Sequence, residues 1–313
     1  MESRITRSLI ATALIVGAVA LAYGVATSSL TSLLELYSPG TLLSIALLTA
    51  GWAISAVRLK ILVESTVKRR LPLVEYLAVR LIGGLMASLT PSAIGGEPAR
   101  AYYVSRRTGI PLTESYAIVI YEVYYDVVAV SVIAVFASIK LLPLSTPVLL
   151  VSLFSATAWL YASIRVSSTG RLRHLDPEPE ENKGFLGRIT GRLRRYYFKF
   201  AESYSRVAAG TPLSVKIVLW LLTLVYNTLW GLAVIPLQQH CTLGDILRSV
   251  EAYYLMQSFS MLPTPGGSGA AEYALSLLLD PSTVLKYRVL YYYYNVLLGV
   301  VALLLYEKLA AGG

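Results

Sequence analysis

Residues 260–279, "SMLPTPGGSGAAEYALSLLL", form an apolar segment that is broken at its centre by Pro263, Pro265, Gly266, Gly267 and Gly269 and resumes behind Glu272. Proline lacks the amide donor that a helix interior needs, and glycine favours turns, so one helix ends before this point and another starts after it. A stretch far upstream is built the same way. In "SLTPSAIGGEPARAYYVSRR", residues 88–107, Thr90 and Pro91 precede Gly95, Gly96 and Glu97, just as Thr264 and Pro265 precede the later glycines and Glu272.

The chain around these breaks is written for a bilayer. Of its 313 residues, 56% are apolar and 14% charged, and the mean hydropathy is +0.62, beyond what the core of a water-soluble domain requires. Apolar runs of about 20 residues cross a hydrocarbon layer of about 30 Å, and full spans are predicted near 8–30, 40–59, 114–139, 146–164, 213–237 and 284–306. The first is too long for the apolar region of a signal peptide and is read as a span. Residues 72–107 and 244–280 are the interrupted stretches. Broken backbone at membrane depth is tolerated only inside protein or against a wet cavity, so each is predicted to be a re-entrant helical hairpin with its tip in the membrane.

Lysine and arginine set the orientation. Arg4 and Arg7, then Lys68, Arg69 and Arg70, then ten basic residues from Arg165 to Arg206 mark the cytoplasmic side, whereas 31–39 and 238–243 carry none. Both termini are thereby predicted to be cytoplasmic in a multi-pass cell-membrane protein. The first hairpin lies between Arg70 and Arg106, on the cytoplasmic side, and the second follows the outward span 213–237. Opposed broken hairpins mark an inverted repeat with a substrate site where the tips meet. The expected fold is therefore all-α and polytopic, with six full spans and two re-entrant hairpins in one membrane-embedded domain over 1–313.

A net charge of +9 is largely the flanking charge of the spans, so membrane lipid, not nucleic acid, is the expected partner. Within the basic stretch 165–212, Leu186, Ile189, Leu193, Tyr197, Phe200, Tyr204 and Val207 recur at helical spacing opposite Arg188, Arg192, Arg195, Lys199 and Arg206. This pattern suits an interfacial helix on anionic headgroups; the alternative is a basic linker, preceded by the polar loop "DPEPEEN" at 176–182. Cys241, His174 and His240 are too few for a disulfide or a zinc site. With no phosphate-cradling loop and no nucleophile elbow, no metal, cofactor or ATP hydrolysis is expected.

An ionisable side chain inside a membrane costs roughly 2.5–3.5 kcal/mol on insertion scales and so needs a partner or a purpose. Arg80, Glu97, Arg100, Glu122, Asp126, Glu272 and Arg288 fall in or beside the broken elements. Together with the turn residues Pro91, Gly95, Gly96, Pro265, Gly266, Gly267 and Gly269, they are the candidate substrate-binding set. Glu122 and Asp126 are four apart and share a helix face, expected to turn toward the hairpin tips. In one reading the arginines hold a lipid phosphate while the carboxylates balance them or accept an amine or sugar hydroxyls. In the other, acid and base only pair to fix hairpin geometry. Glu272 is expected close to Glu97, Arg100 or Arg80 of the opposed hairpin, and Arg58 and Lys60 are expected to snorkel to the cytoplasmic face. The run "YYYY" at 291–294 cannot face one way on a helix, so part of it faces the interior, where tyrosine hydroxyls suit a headgroup track.

Both motifs, with "YEVYYDVV" at 121–128 and "KYRVLYYYYNVLLG" at 286–299, resemble the lysylphosphatidylglycerol synthase transmembrane-region family of flippase-like membrane proteins. The PGGxGxxE signature is matched by Pro265, Gly266, Gly267, Gly269 and Glu272, and the G-E-P-x-R element by Gly96, Glu97, Pro98 and Arg100. Where the family often has an arginine after the glutamate, this chain has Val123 after Glu122. The resemblance implies a domain that moves a charged or glycosylated phospholipid or polyprenyl-linked lipid between leaflets, with room for a separate glycosyltransferase or lipid synthase as partner and for an oligomer. In bifunctional members the domain is fused to a soluble synthase or glycosyltransferase; 165–212 is too short for either, so a stand-alone member without enzymatic activity is expected. An ion-coupled small-solute transporter and a lipid-binding accessory subunit of a membrane glycosyltransferase remain as alternatives.

Overall fold

The computed structural model describes residues 2–67, 69–90, 94–172, 185–239 and 242–311; Pro91, "DPEPEEN", His174, His240 and Cys241 lie outside them. The described chain is helical throughout, with no strand. Helix α1 covers Glu2–Ala26, and a 3₁₀ helix at Leu30–Tyr37 turns away from it by 114°. The segment expected to be a plain outer connection is therefore itself wound, and Lys286 of the last helix holds it through Glu35 at 2.5 Å.

Proline opens or immediately precedes most of the remaining long helices, where its missing amide costs nothing. Pro39 starts α2 (Pro39–Thr66), and Pro72 precedes α3 (Leu73–Ser88). Helix α4 (Gly96–Thr108) stops at Gly109, whose left-handed φ of 78° ends it. Pro111 precedes α5 (Leu112–Ile139), which is followed by α6 (Thr146–Leu172) and α7 (Phe185–Gly210). Pro212 precedes α8 (Leu213–Leu232). Thr242 and Asp245 cap each other's amides at the start of α9 (Leu243–Phe259). A single 3₁₀ turn, Pro265–Gly267, leads to the short α10 (Ala270–Ser276), and Pro281 opens α11 (Pro281–Ala311).

Among the described residues, five helices are long and apolar enough to cross a membrane, α2, α5, α6, α8 and α11, or up to six if α1 and its bent 3₁₀ continuation form one span. The protein is thus a multi-pass, all-α membrane protein. The two interrupted stretches behave differently. Helices α3, α4, α9 and α10 have 16, 13, 17 and 7 residues, about 24, 20, 26 and 10 Å at 1.5 Å per residue. Each falls short of a hydrocarbon layer of about 30 Å.

Packing relates the two stretches. Helix α2 lies on α8, α3 packs on α11, and α9 packs on α5. Neighbours within each set correspond as well: α2–α3, α3–α4 and α4–α5 match α8–α9, α9–α10 and α10–α11. Each broken stretch is therefore gripped by the closing helix of the other set. An aromatic cluster fastens the crossing: Trp52 of α2 meets Trp230 of α8 edge-on at 5.1 Å. Trp52 donates its indole N–H to Asn295 Oδ1 at 2.8 Å, Trp230 donates to the Leu48 carbonyl at 3.0 Å, and the Tyr287 hydroxyl donates to the Trp230 carbonyl at 2.8 Å.

Helix α7 only partly meets its expected role. Leu193 and Tyr197 are exposed, but Tyr204 and Val207 are buried and Phe200 packs beside them against α5, so the second half of the apolar stripe covers protein. The side chains of Leu186, Ile189, Arg188 and Arg192 lie outside the described residues.

The α2–α8 contact is close because Gly51 has no side chain; a Cβ there would stand 2.2 Å from Trp230 Nε1. Gly51→Leu should cost about 1–3 kcal/mol through overpacking, read as a lower thermal unfolding midpoint in detergent, whereas Leu42→Ala on the exposed face of α2 should leave the midpoint unchanged.

Candidate functional site

Arg58 sits at the centre of the site, and snorkelling does not describe it. Helix α2 continues two turns past Arg58 to Thr66, which leaves the guanidinium wholly buried. One face is held by Glu122 Oε1 at 2.9 Å and by both carboxylate oxygens of Asp126, one of them at 2.8 Å. Thr223 Oγ1 accepts from Nη1 at 2.5 Å, and the Tyr226 ring lies 5.1 Å from Cζ. Tyr226 also donates its hydroxyl to Asp126. Three helices, α2, α5 and α8, are thereby joined through one side chain. Lys60, two residues on, does reach outward: it is partly exposed and binds Glu64 at 2.5 Å.

Glu122 links this cluster to the first broken stretch. Its Oε1 also receives Arg80 Nη1 of α3 at 3.4 Å, and its Oε2 receives Arg100 Nη1 of α4 at 2.7 Å. Arg100 reaches Glu97 at 3.6 Å, the longest contact of the set, and Glu97 is partly exposed. The face shared by Glu122 and Asp126 thus turns toward α2, α3 and α4. Three arginines meet three carboxylates here, so the network carries no net charge. A buried arginine or carboxylate is tolerated on that condition, since an unpaired charge at this depth is far costlier than the pair.

The second broken stretch has its own pair. Arg288 of α11 donates Nε to Glu272 Oε1 at 2.8 Å and Nη2 to the Gly266 carbonyl, and its guanidinium lies over the Tyr292 ring. The other Glu272 oxygen accepts the Gly269 amide at 2.7 Å, so the carboxylate also caps α10. The sequence places Glu272 close to Glu97, Arg100 or Arg80; its ion-pair partner is Arg288, sixteen residues further on, because α10 is so short that the carboxylate stays beside its own turn. Gly266 and Gly267 have φ of 57° and 71°, the left-handed region where a side chain is strained. A Cβ on Gly266 would meet Val16 Cγ2 at 2.7 Å, and one on Gly267 would meet Ser260 Oγ at 2.9 Å.

Between the two stretches lies a cavity of about 500 Å³. From the first it is lined by Arg80, Thr90, Gly96, Glu97 and Arg100, from the second by Ser260, Thr264, Gly266 and Gly267, and from α5, α8 and α11 by Asp126, Asn227, Arg288, Tyr291, Tyr292 and Asn295. Eight of the candidate residues named from sequence therefore share one cavity: Arg80, Gly96, Glu97, Arg100, Asp126, Gly266, Gly267 and Arg288. Glu122 and Glu272 stand behind it as partners of those arginines. Gly95 donates its amide to Thr90 Oγ1 at 2.8 Å and, like Pro265 and Gly269, shapes a turn without lining the cavity. Of the tyrosine run, Tyr291 and Tyr292 face the cavity and Tyr293 turns outward. The hydroxyls of Thr264 and Tyr292 are buried without a hydrogen-bond partner in the protein. Among the described residues no His, Cys, Asp and Glu cluster could hold a metal ion.

Sequence reasoning missed Arg58, Tyr226, Asn227 and Asn295. Arg58 had a readable signal: it lies eleven residues before Arg69, about 16 Å along a helix, more than an arginine side chain spans. The other three are uncharged and carried none.

Removing Arg58 should expose how the cluster is held. Arg58→Met leaves Glu122 and Asp126 without their shared cation and should cost about 3–5 kcal/mol, seen as loss of folded protein on size exclusion. Adding Asp126→Asn to Arg58→Met should restore much of the yield, because Glu122 then keeps Arg80 and Arg100 and the remaining charges are matched again.

The sequence model of the lysylphosphatidylglycerol synthase TM region family matches residues 8–299. A protein of Archaeoglobus fulgidus named UPF0104 membrane protein is 26% identical over 273 residues, which covers 80% of this chain and 81% of the relative. No solved structure matches. The match over nearly the whole chain, on a helical bundle whose two broken stretches carry the matched signatures, places this protein in the lysylphosphatidylglycerol synthase TM region family.

Proposed function

We propose that the protein is a lipid translocase, which passes an anionic or glycosylated headgroup through the central cavity while the acyl chains stay in the bilayer. The observation that carries this reading is the cavity itself, walled by both broken stretches and lined by Arg80 and Arg100 of the first and by Arg288 of α11. In this reading α3–α4 and α9–α10 are re-entrant hairpins entering from opposite faces, and the correspondence of their packing reflects an inverted repeat. The termini are cytoplasmic, as the lysine and arginine distribution indicates. Carriage involves no covalent step, and no cofactor is invoked.

The charges suit exchange. With every arginine already partnered by a carboxylate, an arriving phosphate enters at the longest ion pair of the wall: Arg100 keeps Glu122 at 2.7 Å but reaches Glu97 only at 3.6 Å. Arg288, over the Tyr292 ring, offers the second cation, while the unpartnered Thr264 and Tyr292 hydroxyls are ready for phosphate oxygens or sugar hydroxyls. A phosphate bound at Arg100 releases Glu97 toward an amine or hydroxyl of the same headgroup.

Leaflet transfer of fluorescent phosphatidylglycerol in proteoliposomes, followed by quenching from outside, tests the activity. Arg100→Ala and Arg288→Ala should each slow transfer by about tenfold or more, the value of one charge-assisted hydrogen bond. Gly267→Val should abolish it while folded protein remains. Transfer equal to that of protein-free vesicles, or full activity in all three variants, would contradict the assignment.

Orientation is tested separately. In a Cys241→Ser background, a cysteine at Ser168 should react with an impermeant maleimide from the cytoplasm and one at Gln239 from outside; the reverse pattern would remove the opposed entry of the hairpins.

A further inference from the structure

Helix α4 has a second hollow on its other side. Gly96, Glu97 and Arg100 face the central cavity, whereas Ala101 forms the floor of a groove of about 470 Å³ between α4, the start of α5 and the middle of α7. Tyr116 and Phe200 wall this groove, their rings 5.8 Å apart, and Tyr102, Tyr196 and Tyr197 form its rim. The lining is almost wholly apolar. The rim tyrosines are exposed, as is Leu193 one turn earlier on α7, so the groove is continuous with the outer surface of the bundle and is not closed by protein.

The charges around it are of one predominant sign. Arg106 lies over the ring of the rim residue Tyr102 at 5.9 Å, and the exposed Arg194 lies over the Phe198 ring at 5.3 Å. Glu114 adjoins the lining residue Thr113, while Glu97, next to the lining residue Pro98, is held by Arg100 at the central cavity. Water against such a lining is unfavourable. Tyrosine rims mark the level where headgroups meet acyl chains, and surface arginines and lysines attract anionic lipid at that level.

We infer that this groove binds one anionic phospholipid, with an acyl chain along Tyr116 and Phe200 and the phosphate at the cationic rim of Arg106 and Arg194. The site is distinct from the central cavity and does not depend on what that cavity carries. Charge complementarity selects the occupant: an apolar groove alone would accept any lipid, and the basic rim prefers an acidic one. Because a single helix separates groove from cavity, the bound lipid braces α4 from behind while Arg100 works on the other face.

Native mass spectrometry of the full-length protein, supplied with equal phosphatidylglycerol and phosphatidylcholine, tests the site. The wild-type chain should retain phosphatidylglycerol preferentially. Thr113→Trp, which fills the groove, and the double variant Arg106→Glu with Arg194→Glu should each lower retention by about tenfold or more, and Glu114→Lys should raise it. Soluble glycerol 3-phosphate should not displace the lipid, because it lacks the chain. Equal retention of the two phospholipids, displacement by glycerol 3-phosphate, or unchanged retention in the groove variants would overturn the inference. If Thr113→Trp does not fold, the charge-reversed variant and Glu114→Lys decide between these outcomes.

Discussion

One buried guanidinium organises the protein. Arg58 reaches α5 through Glu122 and Asp126 and α8 through Thr223, and Glu122 in turn receives arginines from α3 and α4. Planar, multivalent and always charged, an arginine can serve several acceptors at once in a way that a lysine cannot. The cost of placing it at this depth is offset only if every charge around it is matched. That requirement fixes the positions of four helices relative to α2, so the wall of the cavity is set by charge balance as much as by packing.

The two broken stretches solve a shared problem with different parts. Each must end a helix inside the bundle, where freed amides and carbonyls have no bulk water to satisfy them. At the first, Thr90 closes the end of α3 by accepting from Gly95 and donating to Met86. At the second, Gly266 and Gly267 take left-handed conformations, and Arg288 and Glu272 take up a carbonyl and an amide of the turn. The charged side chains of the second stretch therefore hold backbone in place, while those of the first hold one another. This difference leaves the Glu97–Arg100 contact as the most readily exchanged part of the wall.

Helix α4 carries much of the consequence. It packs on α3 and α5, presents Glu97 and Arg100 to the cavity and turns Ala101 to the outer groove. A 13-residue helix between a polar cavity and an apolar groove carries Glu97 and Arg100 for the one and Tyr102 for the other, while its Tyr103 and Arg107 meet Tyr306 of α11. Helix α7, whose later turns bury Tyr204 and Val207 against the bundle, supplies the groove's third side.

The sequence by itself determined the membrane location, the all-helical class, the two breaks and the family, because each rests on local rules: run length against bilayer thickness, and the incompatibility of Pro and Gly with helix interiors. It also named most of the charged residues that share the cavity, since an ionisable side chain in an apolar run needs a reason wherever it occurs. What it left undecided was pairing. Glu272 has three arginines within reach on any topological sketch, and only the packing of α11 beside the turn makes Arg288 its partner. Arg58 was misjudged for the same reason: whether a cation near a helix end reaches water or turns inward depends on what the neighbouring helices offer it. Tertiary structure alone decided that, by placing Glu122, Asp126 and Thr223 around a guanidinium that local sequence would have sent to the surface.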